Sequence, residues 1–180
     1  GIKHFIFSST AAVYGDAQSG LVSELSAKQP TSPYGHSKLM VEQILSDAHH
    51  AHGLNYVVLR YFNVAGADPK GRTGQSNPHA THLIKLANLV ALGKLPELLI
   101  FGDDYPTPDG TGIRDYIHVT DLVSAHACAL NYLQQGGAPL VANCGYGQGF
   151  SVREVIAAVK QVSGIVYWLA EIIFSGRYDF

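Results

Sequence analysis

The sequence is short of charge, of cysteine and of long apolar runs, and each shortage removes a class of function. Charged residues make up 14% of the 180 and sum to −2, so no basic field exists to gather a nucleic acid. No run of about 18 apolar residues occurs, so no membrane-spanning helix is expected. No charged-then-apolar leader precedes the first strand pattern, so no secretory signal is expected and a cytoplasmic location follows. The two cysteines, Cys128 and Cys144, lack metal-site spacing. Two buried free thiols are expected of them, although the sequence alone leaves a disulfide open. Nine histidines are scattered along the chain. His49, His50 and His52 gather near a helix end, where dipole compensation accounts for them better than metal binding. No metal site is expected.

What is present is the material of one folded domain: 47% hydrophobic residues, 19 glycines and 10 tyrosines. Residues 3–8 read as a fully buried strand, because Phe5, Ile6 and Phe7 at its centre are apolar without alternation. After a loop with Gly15, Gly20 and Pro30, Ser32-Pro33 opens a helix over 34–52, with Leu39, Ile44, Leu45 and Ala48 on one face and Gly53 as its stop. Residues 56–61 read as a second buried strand. Strand, helix, strand is a parallel unit with a right-handed crossover. Further on, a loop over 64–79 leads to a helix over 80–92, then strands over 98–101 and 116–119. Thr120 is expected to cap a helix reaching Gln134. A strand over 140–144 follows, and Ser151-Val-Arg-Glu154 is a capping box opening the next helix. No internal repeats appear. The alternation specifies an α/β fold.

Chemistry enters at Tyr34-Gly-His-Ser-Lys38. Residues four apart share a helix face, so phenol and ammonium point the same way. A positive charge beside a tyrosine favours its phenolate, which suits a general base. The same spacing also fits an ordinary surface pair. Ser8-Ser9-Thr10 ends a buried strand, where open parallel sheets bind ligands and where a hydroxyl can meet a substrate hydroxyl. It equally fits a strand-to-loop cap.

Three strings taken together go further: Phe5-Ile-Phe-Ser-Ser-Thr-Ala-Ala-Val-Tyr-Gly-Asp16, Ser32-Pro-Tyr-Gly-His-Ser-Lys38 and Leu59-Arg-Tyr-Phe-Asn-Val-Ala-Gly66. They resemble the extended short-chain dehydrogenase/reductase family. The string Ile100-Phe-Gly-Asp-Asp-Tyr-Pro-Thr-Pro-Asp-Gly-Thr-Gly-Ile-Arg-Asp-Tyr-Ile-His-Val-Thr-Asp-Leu122 is more specific and resembles the UDP-glucose 4-epimerases, also called UDP-galactose 4-epimerases. Related 4,6-dehydratases usually carry Thr-Asp-Glu after the strand. Thr10-Ala11-Ala12 lacks that acid pair, which argues against dehydration.

The resemblance implies part of a Rossmann-like doubly wound parallel sheet over residues 1–64. It implies a mostly UDP-sugar-binding region over 65–180, with some segments returning to the first domain and an atypical tail at 165–180. It implies a bound NAD and a 4-keto sugar intermediate. Tyr34 would take the proton of the sugar 4-hydroxyl with help from Thr10, and Lys38 would hold the nicotinamide ribose. Ser8, Ser9 and Tyr61 would lie near the cofactor. Phe62, Asn63, His82, Leu83, Phe101 and Arg114 would line the UDP-sugar site. Arginine suits a diphosphate because its planar fork binds through two parallel bonds. His118 is expected to be a satisfied core histidine, and Met40 to pack on its helix or at the face of a homodimer. A 4-epimerase for another UDP-sugar, such as an N-acetylhexosamine, pentose or uronate, remains open. So does a non-catalytic nucleotide-binding scaffold.

Two family parts do not occur in the sequence. The glycine-rich pyrophosphate fingerprint is absent, since Gly145-Tyr-Gly147-Gln-Gly149 reads as a turn and cap. The tail Ser175-Gly-Arg177-Tyr-Asp179-Phe180 departs from the family's Arg-Arg-x-Gly-Asp. The expectation is therefore a carboxyl-terminal part of a longer enzyme that, by itself, binds NAD poorly and does not turn over.

Overall fold

A computed structural model describes residues 1–16 and 20–165, and the backbone of 171–174. In chain order the elements are β1 (His4–Thr10), a 3₁₀ turn (Ala11–Tyr14), α1 (Pro33–His52), β2 (Asn55–Tyr61), β3 (Asn63–Ala65), α2 (Leu83–Ala91), β4 (Leu98–Phe101), β5 (Ile113–His118), α3 (Val119–Gln134), β6 (Leu140–Cys144), β7 (Gly149–Ser151), α4 (Val152–Ser163) and β8 (Glu171–Phe174). They divide into two compact units, Gly1–Asp68 with Tyr116–Gly147, and Pro69–Asp115 with Gln148–Phe180.

The first unit is built on a parallel sheet in the order β1-β2-β6. β2 is its centre, with every residue from Tyr56 to Arg60 buried. Alternation along a strand sends neighbouring side chains to opposite faces. Val57 and Leu59 accordingly pack with Leu122, Ala129 and Leu133 of α3, while Tyr56 and Val58 pack with Leu45 of α1. Helices thus cover both faces of a parallel sheet, the Rossmann-like arrangement. α1 starts where Ser32 Oγ accepts the Gly35 N–H at 3.1 Å and Pro33 takes the first helical position. It ends at left-handed Gly53 behind a last turn holding the three histidines.

Several expectations are corrected. β1 is not fully buried: His4 and Phe5 are exposed, and burial is complete only at Ser9 and Thr10. Among the described residues it pairs with one strand, β2, and its side chains lose cover toward its start. Ile44 points outward from α1, at 62% exposure, and the buried face is Gly35, Glu42 and Leu45; Met40 is exposed as well, which leaves its expected place at a dimer face open. Cys144 is buried but Cys128 is exposed, because α3 buries Leu122, Ala129 and Leu133 and turns Cys128 away; both thiols are free. The cap of α3 is His118, not Thr120: its ring nitrogen Nδ1 accepts the Thr120 N–H at 3.2 Å. His118 is half-buried, with its ring against Gly66, whose φ of +82° and lack of a side chain admit it.

In the second unit, β4 pairs in parallel with β8, and the start of β5 pairs antiparallel with β7. Ala87, Val90, Leu98, Ile100 and Ile156 form its core. α2 begins at Leu83, three residues later than the pattern suggested, because the backbone of His82 is still extended. The capping box of α4 is present, with Ser151 and Glu154 reciprocally bonded. Of the tail, Arg177 and Asp179 lie outside the described residues.

Candidate active site

β1, β2 and β6 end in register. Ser9 pairs with Arg60 and Arg60 with Asn143; in the next row, Thr10 pairs with Tyr61 and Tyr61 with Cys144. Ligands of open parallel sheets bind beyond such carboxyl ends.

The start of α1 is held against this edge. An added side chain at Gly35 would sit 2.6 Å from the Ala12 carbonyl oxygen and 2.9 Å from Pro30 Cβ, so the helix touches the turn that follows Thr10. Lys38 reaches back from α1 and donates to the Ser8 carbonyl at 3.0 Å. Its Nζ lies 5.6 Å from the Tyr34 ring centroid and 5.1 Å from that of Phe7. The Tyr34 side of α1 is open to an incoming molecule, at 53% exposure. Thr10 is buried, and its Oγ1 accepts the Ala12 N–H at 3.1 Å, which leaves its own O–H to donate. Ser8 turns its hydroxyl the other way, to His126 Nε2 at 3.2 Å. His126 Nδ1 lies 2.8 Å from the Leu122 carbonyl, which can only accept, so Nδ1 donates there, and in the neutral ring Nε2 accepts the hydrogen bond of the Ser8 hydroxyl.

Tyr61 and Phe62 are half-buried at the end of β2, and Asn63 is exposed at the start of β3. The other four candidates belong to the second unit. His82 precedes α2, exposed, with Nδ1 3.3 Å from Gln75 Nε2, and Leu83 packs against that unit's core. Phe101 ends β4 on its exposed side, not in the core, and Arg114 is exposed with Nη1 donating to the Ile113 carbonyl at 2.8 Å.

A buried polar network lies beneath the Thr10 row that the sequence analysis did not identify. Glu42, one turn beyond Lys38, accepts from Ser9 Oγ at 2.6 Å and from Arg60 Nε at 3.0 Å through the same oxygen. Its second oxygen takes Arg60 Nη2 at 2.5 Å. Arg60 Nη1 donates to the Tyr14 hydroxyl at 2.9 Å, which donates onward to Asn143 Oδ1 at 2.6 Å. The Asn143 N–H meets Glu24 at 2.7 Å. Burial opposes the charge on Arg60, yet Glu42 and Tyr14 together outweigh it and raise the guanidinium pKa. The Asn143 and Glu24 backbone N–H groups hold the Glu24 carboxyl below its usual range. Burial pushes the Cys144 thiol up. Two signals existed in the sequence: a lone arginine inside a buried strand, and a glutamate continuing the Tyr34–Lys38 spacing.

Residues 1–145 match the model of a family described as "NAD dependent epimerase/dehydratase family". The chain belongs to that family. Among curated relatives, the UDP-glucose 4-epimerase of Azospirillum brasilense is 61% identical over 164 residues, which cover 91% of this chain and 47% of the relative. The structure of a UDP-glucose 4-epimerase from Brucella ovis in complex with NAD superposes with a TM-score of 0.91 at 43% identity, covering 97% of this chain and 53% of the other. The UDP-Glc/GlcNAc 4-epimerase of Campylobacter jejuni superposes at 0.74 with 52% identity, over 97% and 53%. The chain spans about half the length of the relatives it matches.

The family's cofactor can be tested against the residues present. Lys38 carries three donors and spends one on the Ser8 carbonyl, so two remain for ribose hydroxyls. Tyr34 beside it adds a hydroxyl open to solvent. These groups fit the nicotinamide ribose. The 180 residues contain no glycine-rich fingerprint for the pyrophosphate, so the fit concerns that end of NAD alone.

Proposed function

We propose that the gene product carrying this chain interconverts UDP-glucose and UDP-galactose by 4-epimerisation. The observation that carries this reading is the bracing of Lys38 on the Ser8 carbonyl, two residues before Thr10, with its ammonium 5.6 Å from the Tyr34 ring. The 61% identity to a UDP-glucose 4-epimerase supports it. In this reading Tyr34 takes the proton of the sugar 4-hydroxyl, directly or through Thr10, and later returns it. Thr10 is suited to the relay because its oxygen is fixed by Ala12 N–H while its hydrogen stays available. Lys38 holds the ribose and offers positive charge to the phenol. Bound NAD supplies the hydride chemistry at the sugar C4. The 4-keto sugar turns over in the site before the hydrogen returns to the other face. Ser8 and Tyr61 belong to the cofactor side, with Ser9 buried beneath it on Glu42, and Phe62, Asn63, His82, Leu83, Phe101 and Arg114 to the UDP-sugar. The same reading carries a cytoplasmic homodimer acting in galactose metabolism.

Similarity to an enzyme named for both UDP-Glc and UDP-GlcNAc favours N-acetylated sugars as a second substrate class. The test is conversion of UDP-galactose and of UDP-N-acetylgalactosamine by the gene product, with Tyr34→Phe alongside. Conversion that the variant loses supports the reading. A folded, NAD-loaded protein that converts neither sugar overturns it.

A further inference from the structure

The network beneath Thr10 is unusual in its cost. Glu42 and Arg60 are both buried, and taking an ion pair out of water is repaid only by excellent geometry. Apolar residues of similar size often hold a fold as well or better. They lack direction, however, and allow one packed element to slide on another. A bidentate carboxylate–guanidinium pair does not, because both of its bonds must keep their angles.

The rows of the sheet show what such a constraint would fix. Ser9, Arg60 and Asn143 form one cross-strand row, and Thr10 and Tyr61 stand in the next. Glu42 ties the first row to α1 through both Ser9 and Arg60. Lys38, one turn earlier, ties α1 to the adjoining Ser8 carbonyl. The helix is therefore pinned to consecutive residues of β1, immediately before Thr10. Arg60 also takes up the charge of Glu42, which leaves Lys38 as the uncompensated charge facing Tyr34.

We propose that Glu42 and Arg60, with Ser9, are positioning residues: they set the register of α1 on the sheet and so hold Tyr34 and Lys38 at the carboxyl end of β1. This rests on the epimerase reading for its catalytic consequence, but not for the structural one. The test replaces the network by apolar groups, Ser9→Ala/Glu42→Leu/Arg60→Met, in the gene product carrying this chain. Expected is a folded protein whose kcat for UDP-galactose falls at least tenfold while KM holds, since a misplacement of about 1 Å costs on the order of a hundredfold. Amide exchange over residues 36–40 should quicken at least tenfold, with residues 122–133 of α3 unchanged. A folded variant with unaltered kcat and unaltered exchange over 36–40 overturns the proposal. If the triple variant does not fold, Glu42→Gln decides, because it keeps the side chain's size and one acceptor oxygen but loses the charged two-bonded fork to Arg60: lower kcat at constant KM with faster exchange over 36–40 supports positioning, and unchanged kcat and exchange overturn it. If the parent protein converts no UDP-sugar, the epimerase reading falls and the exchange measurement alone settles whether the network fixes α1.

Discussion

Replacing Gly35 by alanine sets two opposing effects against each other. In an exposed helix, alanine is favoured over glycine by about 1 kcal/mol. Here the new Cβ would lie 2.6 Å from the Ala12 carbonyl oxygen, against the 3.4 Å where ordinary contact begins. The obstacle is backbone, braced by the Ala12 N–H bond to Thr10, so no side chain can swing aside. The first turn of α1 must back away by 3.4 − 2.6, about 0.8 Å. Overpacking of this kind costs about 1–3 kcal/mol, so the net loss of stability should be about 0–2 kcal/mol. The functional effect should be larger, because the same displacement moves Tyr34, next to Gly35, relative to the turn after Thr10; a fall in kcat of about a hundredfold is expected. Urea denaturation and UDP-galactose conversion by the gene product measure the two, with exposed His36→Ala as a control expected within about 0.5 kcal/mol. A Gly35→Ala protein that is more stable and fully active would refute the close approach as the reason for this glycine.

Other outcomes follow from single groups. Tyr34→Phe should lower kcat by about 10²–10⁴-fold with little change in melting temperature, the range of a lost general base. Arg60→Met alone strands a buried carboxylate and should cost about 3–5 kcal/mol by denaturation, far more than Ser9→Ala at about 1 kcal/mol. The Ser151 hydroxyl, then Thr111, hold the Asp109 carboxyl below its usual range. A depressed folded pKa stabilises above the unfolded value of about 3.9 and is lost as pH falls through the folded one, so Asp109→Asn should flatten the acid limb of melting temperature against pH. Cys128 is exposed and Cys144 buried with its thiol pushed up, so a thiol reagent should label one cysteine in the native protein and the second only on unfolding.

Local signals made much of this legible. Ser32-Pro33 and Gly53 bound α1 within a residue, and the capping box at Ser151 stands where the spacing put it. Both depend on contacts within a few residues, which sequence records directly. β1 reads as buried from its apolar centre, whereas among the described residues only its last two positions are buried, because the one strand paired with it there, β2, leaves its start uncovered. Cys128 and Ile44 are exposed despite their hydrophobic type, because helix phase decides which face turns inward. Thr120 was named as a cap on propensity, and a histidine two residues earlier supplied the acceptor instead.

The least legible feature is the one that organises the site. Glu42 and Arg60 are 18 residues apart, and the glutamate by itself reads as one more polar position on a helix. Arg60 is the sharper sign, since a guanidinium within a run of buried strand residues must find a carboxylate. Of the acids on elements packed against that face of β2, Glu42 is the one whose helical spacing from Lys38 turns it inward. A buried charge thus implies its partner, and the pair implies the register it imposes. A catalytic motif names the groups that meet the substrate. The buried charges one row below fix where those groups stand.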